Sequence, residues 1–195
     1  NSYETLRKIS EKAERPQSTE LLQSDIIIEA TSDFYRLYNN FDQVSTYIAA
    51  VMSQVSQMYE EQIYVQIFVP QVIIYETSAK DPYRTTSQIY ERLYQMRDLW
   101  KNKTVKRSVV CLMTDMDFQG GSGYRVGGIS LGLGTICENN EGYCVFGMNG
   151  HYKYPTSNYT WDVSVAEHEI GHAFGSPHTH SCYFRPNMID TCITR

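Results

Sequence analysis

The chain has 195 residues, a formal net charge of −5 and no cluster of Lys and Arg, which bounds it to one ordinary-sized domain and argues against a nucleic-acid partner. No run of eighteen apolar residues occurs, so nothing reads as a membrane-spanning helix, and the residues after Asn1 lack the charged-then-apolar pattern of a signal peptide.

A start at Asn1 without methionine reads as a processed or constructed piece of a longer precursor. Residues 1–22 are polar and charged, carry Pro16 in their middle, and are expected to form a flexible lead-in with at most a short helix. The first core element is Asp25-Ile26-Ile27-Ile28-Glu29-Ala30, whose β-branched run suits a buried strand. Residues 42–60 place Val44, Tyr47, Ile48, Val51, Val55 and Met58 at helical spacing, which predicts a long helix with one face on the sheet. Residues 63–76 are rich in Ile, Val, Phe and Tyr but contain Pro70, which has no N–H for a ladder; two short strands or one strand with a bulge would accommodate it. A second helix over about residues 87–100 gathers Ile89, Leu93, Met96 and Trp100 on one face, leaving Glu91, Arg92, Arg97 and Asp98 for a solvated one.

Ser108-Val109-Val110-Cys111-Leu112-Met113 reads as another strand. The glycine-rich loop at 119–123 is not followed by Gly-Lys-Ser/Thr or a helix start, so it is not a phosphate loop. Residues 126–134 alternate small and apolar side chains, as an edge strand does where something approaches it closely. Ser164-Val165-Ala166-Glu167 matches a capping box and predicts a helix beginning just before His168.

On that helix the chemistry concentrates. His168 and His172 are one turn apart on one face, so both imidazoles can reach one metal ion. Glu169 lies about 100° around the helix from His168, placed to act on a water as a general base without becoming a ligand. Gly175 can take the positive φ that ends a helix, and the turn can bring His178 back toward the metal. Three nitrogens and an open position make a catalytic rather than a structural zinc site. Four of the five histidines fall within His168 to His180, and His180 has no slot in this pattern.

Cys111, Cys137, Cys144, Cys182 and Cys192 point to an oxidising compartment, hence a secreted or extracellular protein. Cys137 with Cys144 and Cys182 with Cys192 are the local pairings, each closing a short loop and leaving Cys111 as a buried thiol or a partner for a cysteine elsewhere. Asn102-Lys103-Thr104 and Asn158-Tyr159-Thr160 match the N-glycosylation pattern, which matters only in a eukaryotic secretory host.

His168, Glu169, His172, Gly175 and His178 together fill H-E-x-x-H-x-x-G-x-x-H, and the chain resembles the metzincin zinc metallopeptidases. Ser176-Pro177-His178-Thr179-His180-Ser181-Cys182 narrows the likeness to secreted bacterial relatives of the reprolysin (adamalysin) branch. The resemblance implies a zincin-like α+β (mixed α/β) fold: a twisted mixed sheet with an antiparallel edge strand, packed on long helices that include the active-site helix. It implies residues 23–178 as the N-terminal catalytic subdomain and 179–195 as the start of an incomplete C-terminal one. It also implies zinc on His168, His172 and His178, Glu169 as the base, and Gly128, Ile129, Ser130, Leu131 and Gly132 as the rim that pairs with an extended protein or peptide substrate. A structural calcium ion belongs to the branch, with ligands that have no assignment here. Metzincins carry a methionine turn after the third histidine; Met188, in Pro186-Asn187-Met188-Ile189-Asp190, does not resemble it, so the floor of the site is expected beyond Arg195 or in a separate chain. The expected activity is that of a zinc-dependent endopeptidase using a metal-activated water, and the alternative is a catalytically inactive homologue that binds peptides.

Overall fold

In the computed structural model of the chain, residues 20–115, 126–151, 160–178 and 181 are described. The lead-in before residue 20, the loop 119–123, Asn158, His180, the pairing of Cys182 with Cys192, and Met188 lie outside them. The chain divides into a unit of Leu22–Ser176 and a second one made of Asn1–Leu21 and Pro177–Arg195. Within the second, Ser181 N–H donates to the His178 carbonyl at 2.8 Å.

The larger unit runs β1 (Leu22–Ala30), α1 (Ser32–Tyr35), α2 (Phe41–Ile63), β2 (Val65–Ile74), α3 (Ile89–Trp100), β3 (Val109–Asp115), β4 (Gly128–Ser130), β5 (Tyr143–Met148) and α4 (Trp161–Ala173). Its sheet has the order β2-β1-β3-β5-β4, parallel except for β4, which pairs antiparallel with β5 at one edge. This is the mixed α/β architecture, with an antiparallel edge strand, that the resemblance implies. Both sheet faces are covered, which is why Ile26, Ile27 and Ile28 are apolar in succession at the middle of β1. Ile26, Ile28, Cys111, Met113, Cys144 and Phe146 share one core with α2 and α4, and Ile27, Val110, Leu112 and Val145 share the other with α3.

Each element has a local cause. α2 starts where the Asn40 side chain accepts the Gln43 N–H at 3.0 Å, and stops where Tyr64 turns left-handed at φ 59°. Pro70 is accommodated in a single edge strand with a bulge: Asp25 faces Phe68 but Ile27 faces Gln71, so β2 carries one extra residue where its N–H is missing. β5 is an element that the sequence pattern did not single out. It is fully buried between β3 and β4, and Gly147 and its lack of alternation hide it among loop signals.

The solvated face expected for α3 holds only in part. Arg92 is buried, with Nε donating to the Thr86 carbonyl at 2.9 Å, one Nη to Asp33 at 2.8 Å and the other to Thr114 Oγ1. A guanidinium has enough fixed donors to be satisfied inside a protein, which helical spacing cannot reveal.

Behind α3 lies a second buried ionisable group. Glu29 is 1% exposed and accepts hydrogen bonds from Tyr75 Oη at 2.9 Å and from Tyr83 Oη. Burial holds its carboxyl above the ordinary 4.5, against the lowering effect of the Tyr83 and Tyr75 hydroxyls. A carboxyl raised in the fold contributes stability that is complete below its unfolded pKa and is lost as pH rises through the folded value. Glu29→Gln is therefore expected to match the wild-type Tm near pH 4 and exceed it at pH 7, as thermal unfolding across that range would record.

Candidate active site

Helix α4 begins one turn earlier than the capping box predicts. Thr160 is the N-cap, its Oγ1 accepting the Val163 N–H at 3.4 Å, so Ser164 and Glu167 lie inside the helix. Two further contacts fix this end to the sheet. Trp161 Nε1 donates to the Gly147 carbonyl at 2.8 Å, and the buried Asp162 carboxylate accepts the Asn149 and Gly150 N–H groups, each at 2.8 Å, and the Tyr47 hydroxyl. The other end closes as a Schellman turn: Gly175, at φ 99°, donates to the His172 carbonyl at 2.8 Å and Ser176 N–H to the Gly171 carbonyl at 2.9 Å. The remaining carbonyls are satisfied by the segment that follows β4. Gly134 N–H donates to His172 O at 3.0 Å, and Thr135 and Ile136 N–H groups to Ala173 O at 2.8 and 3.2 Å.

His168 and His172 each offer a ring nitrogen on one side of α4, and the sequence pattern adds a third in His178. The His168 and His172 rings meet edge to face with centroids 4.5 Å apart, as one-turn spacing dictates. His172 Nδ1 lies 2.7 Å from the Ser176 carbonyl and donates to it, which puts the lone pair on Nε2. Two imidazoles one turn apart, with a third three residues beyond Gly175 in the sequence, suit zinc's preference for nitrogen ligands. Among the described residues, no other group of three or more His, Cys, Asp or Glu is arranged to hold a metal, so the expected calcium ion has no ligand set there.

Glu169 is only 5% exposed and sits against β4. Burial pushes its carboxyl up to about 8, opposed by a hydrogen bond from the Ser130 N–H. A dication on the neighbouring histidines acts in the lowering direction. Of the five expected rim residues, β4 proper holds Gly128, Ile129 and Ser130, while Leu131 and Gly132 follow it. Leu131 N–H donates to the Tyr143 carbonyl at 2.9 Å and Gly147 N–H to Gly127 O at 2.7 Å, so alternate residues 127 and 131 bond inward to β5. The main-chain groups of Gly128 and Ser130 therefore face the free edge. Ile129 and Leu131 pack on the opposite sheet face, against the α3 core, and Gly132 adjoins Thr135.

The cysteine pairing that loop closure predicts is corrected. Cys137 and Cys144 are both free thiols, as is Cys111. Cys144 points into the α4 core from the middle of β5, where its Sγ–H donates to the Glu169 carbonyl at 3.3 Å and its strand neighbour is Cys111; Cys137 is exposed, in a left-handed turn at φ 66°. Spacing misled because β5 separates the two side chains. Asp162 and the Ser130 N–H are the site's other determinants, and both act through contacts distant in sequence.

Comparison with known proteins follows this geometry. A chain in a solved structure of a chaperone–substrate complex superposes with a TM-score of 0.59 at 12% identity, covering 83% of this chain and 25% of that one. Metalloproteinase-II from Bacteroides fragilis superposes with a TM-score of 0.52 at 15% identity, over 85% of this chain and 46% of that one. This chain thus spans a quarter and just under half of the two, and identities so low speak for the fold alone. No curated protein sequence matches it significantly. The model of metallopeptidase family M12 matches residues 22–194, from the first strand through the histidine helix, and by that match the chain belongs to metallopeptidase family M12.

Proposed function

We propose that this chain is the catalytic part of a zinc-dependent endopeptidase cleaving extended protein segments, with His168, His172 and His178 holding the metal and Glu169 serving as general base. The observation that carries the reading is the placing of two metal-competent histidines, one turn apart on α4, beside a buried carboxyl that lies against β4. Zinc, when bound, supplies Lewis acidity toward a scissile carbonyl and an attacking water. Glu169 takes the water's proton on its carboxylate and passes it to the leaving amine. The outward main-chain groups of β4 receive an extended peptide by strand addition, which asks little of the peptide's side chains. Burial of Glu169 keeps bulk water from competing for its carboxylate.

Removing metal from the full-length protein with a chelator is expected to abolish casein hydrolysis, and zinc is expected to restore it. His172→Ala should weaken zinc binding by at least about 100-fold, read by metal analysis. Hydrolysis that persists after stoichiometric zinc removal would sink the proposal. Zinc bound one to one with no cleavage would point instead to a peptide-binding module.

A further inference from the structure

Gly128 occupies a position where a side chain would meet Glu169 directly. A Cβ built there falls 2.7 Å from Glu169 Cγ, 2.8 Å from Glu169 Oε1 and 2.8 Å from Val165 Cγ2, all inside van der Waals contact. Its φ is not in the left-handed region, so the backbone itself tolerates alanine, and the obstruction lies wholly in the side chains opposite. The neighbouring Gly127 differs: its Cβ would strike the Trp161 ring, at 2.3 and 2.6 Å. Cys144 Sγ–H holds the Glu169 carbonyl from beneath at 3.3 Å, so the residue's main chain has little freedom to retreat.

We infer that Gly128 is a positioning residue for the general base: the missing side chain lets β4 lie directly on the Glu169 side chain and so fixes where its carboxylate sits. An added methyl group displaces the movable partner, the Glu169 side chain, and leaves the sheet and the histidines in place. The inference rests on Glu169 being the base; its test is therefore split between a kinetic and a non-kinetic readout.

The experiment is a double-mutant cycle of Gly128→Ala and Glu169→Ala in the full-length protein, following Tm, zinc content, and kcat and KM on a peptide substrate. Alanine at 169 removes both Glu169 atoms that the new methyl would strike and leaves only Val165 Cγ2. Gly128→Ala should keep zinc, hold KM within about threefold and lower kcat by at least about 30-fold, the scale of a small misplacement of a catalytic group. In the Glu169→Ala background the same substitution should cost less than about threefold in the residual kcat and lose part of its Tm penalty. Equal penalties in both backgrounds, or a wild-type kcat for Gly128→Ala, would overturn the inference. If Gly128→Ala fails to fold, recovery of folding in the double variant supports it and failure of both overturns it. The Tm coupling needs no peptidase activity, so a protein that proves inert still decides the role of Gly128, separately from the proposed function.

Discussion

Glu169→Gln is expected to leave one zinc bound per chain and to lower kcat by about 10²–10⁴-fold, the contribution usual for a positioned general base. The amide has the shape of the carboxylate, so the packing of Glu169 against Gly128 of β4 survives the substitution. Only the capacity to take a proton is lost. Because Glu169 is not a metal ligand in the proposed site, zinc content and KM should stay near wild type, and the whole deficit should fall on kcat. Steady-state kinetics on a peptide, paired with metal analysis of the same preparation, separates these quantities. A variant that cleaves at the wild-type rate would remove Glu169 from the mechanism, and one that loses zinc would make it part of the metal site.

The second large effect is on the fold. Asp162→Ala is expected to cost about 3 kcal/mol, because it strips the Asn149 and Gly150 N–H groups and the Tyr47 hydroxyl of a buried, charged acceptor. The carboxylate also lies in the first turn of α4, where the helix dipole favours negative charge. For a chain of this size the loss corresponds to a fall in Tm of about 6–12 °C. Asp162→Asn, which keeps an acceptor but not the charge, should fall between the two. A Tm within about 2 °C of wild type for Asp162→Ala would mean that water replaces the lost acceptor, and that the end of β5 and the start of α4 are tied by other contacts.

What was legible in the sequence divides by range. His168, Glu169 and His172 lie within little more than one turn of α4, so their spacing alone describes their arrangement, and φ 99° at Gly175 is the local turn that the glycine predicts. Strands β1 and β3 were legible because each carries a short apolar run, residues 26–28 and 109–113, that suits a strand buried on both faces. β5 was not: Tyr143-Cys144-Val145-Phe146-Gly147-Met148 becomes a strand only by filling the gap between β3 and β4. The same long-range register decides the cysteines, setting Cys144 beside Cys111 and away from Cys137. The capping box at Ser164 was a valid local pattern outcompeted by Thr160, because Asp162 and Trp161 anchor an earlier turn to β5. Arg92 looked solvent-facing because its partners Asp33 and Thr114 sit on other elements.

The segment leaving β4 donates three N–H groups to the last carbonyls of α4, including that of His172. A load applied at the rim therefore passes through Gly134, Thr135 and Ile136 straight into the helix end that carries this histidine. The rim and the helix end are thereby tied together, and moving either one means breaking bonds to the main chain of the other.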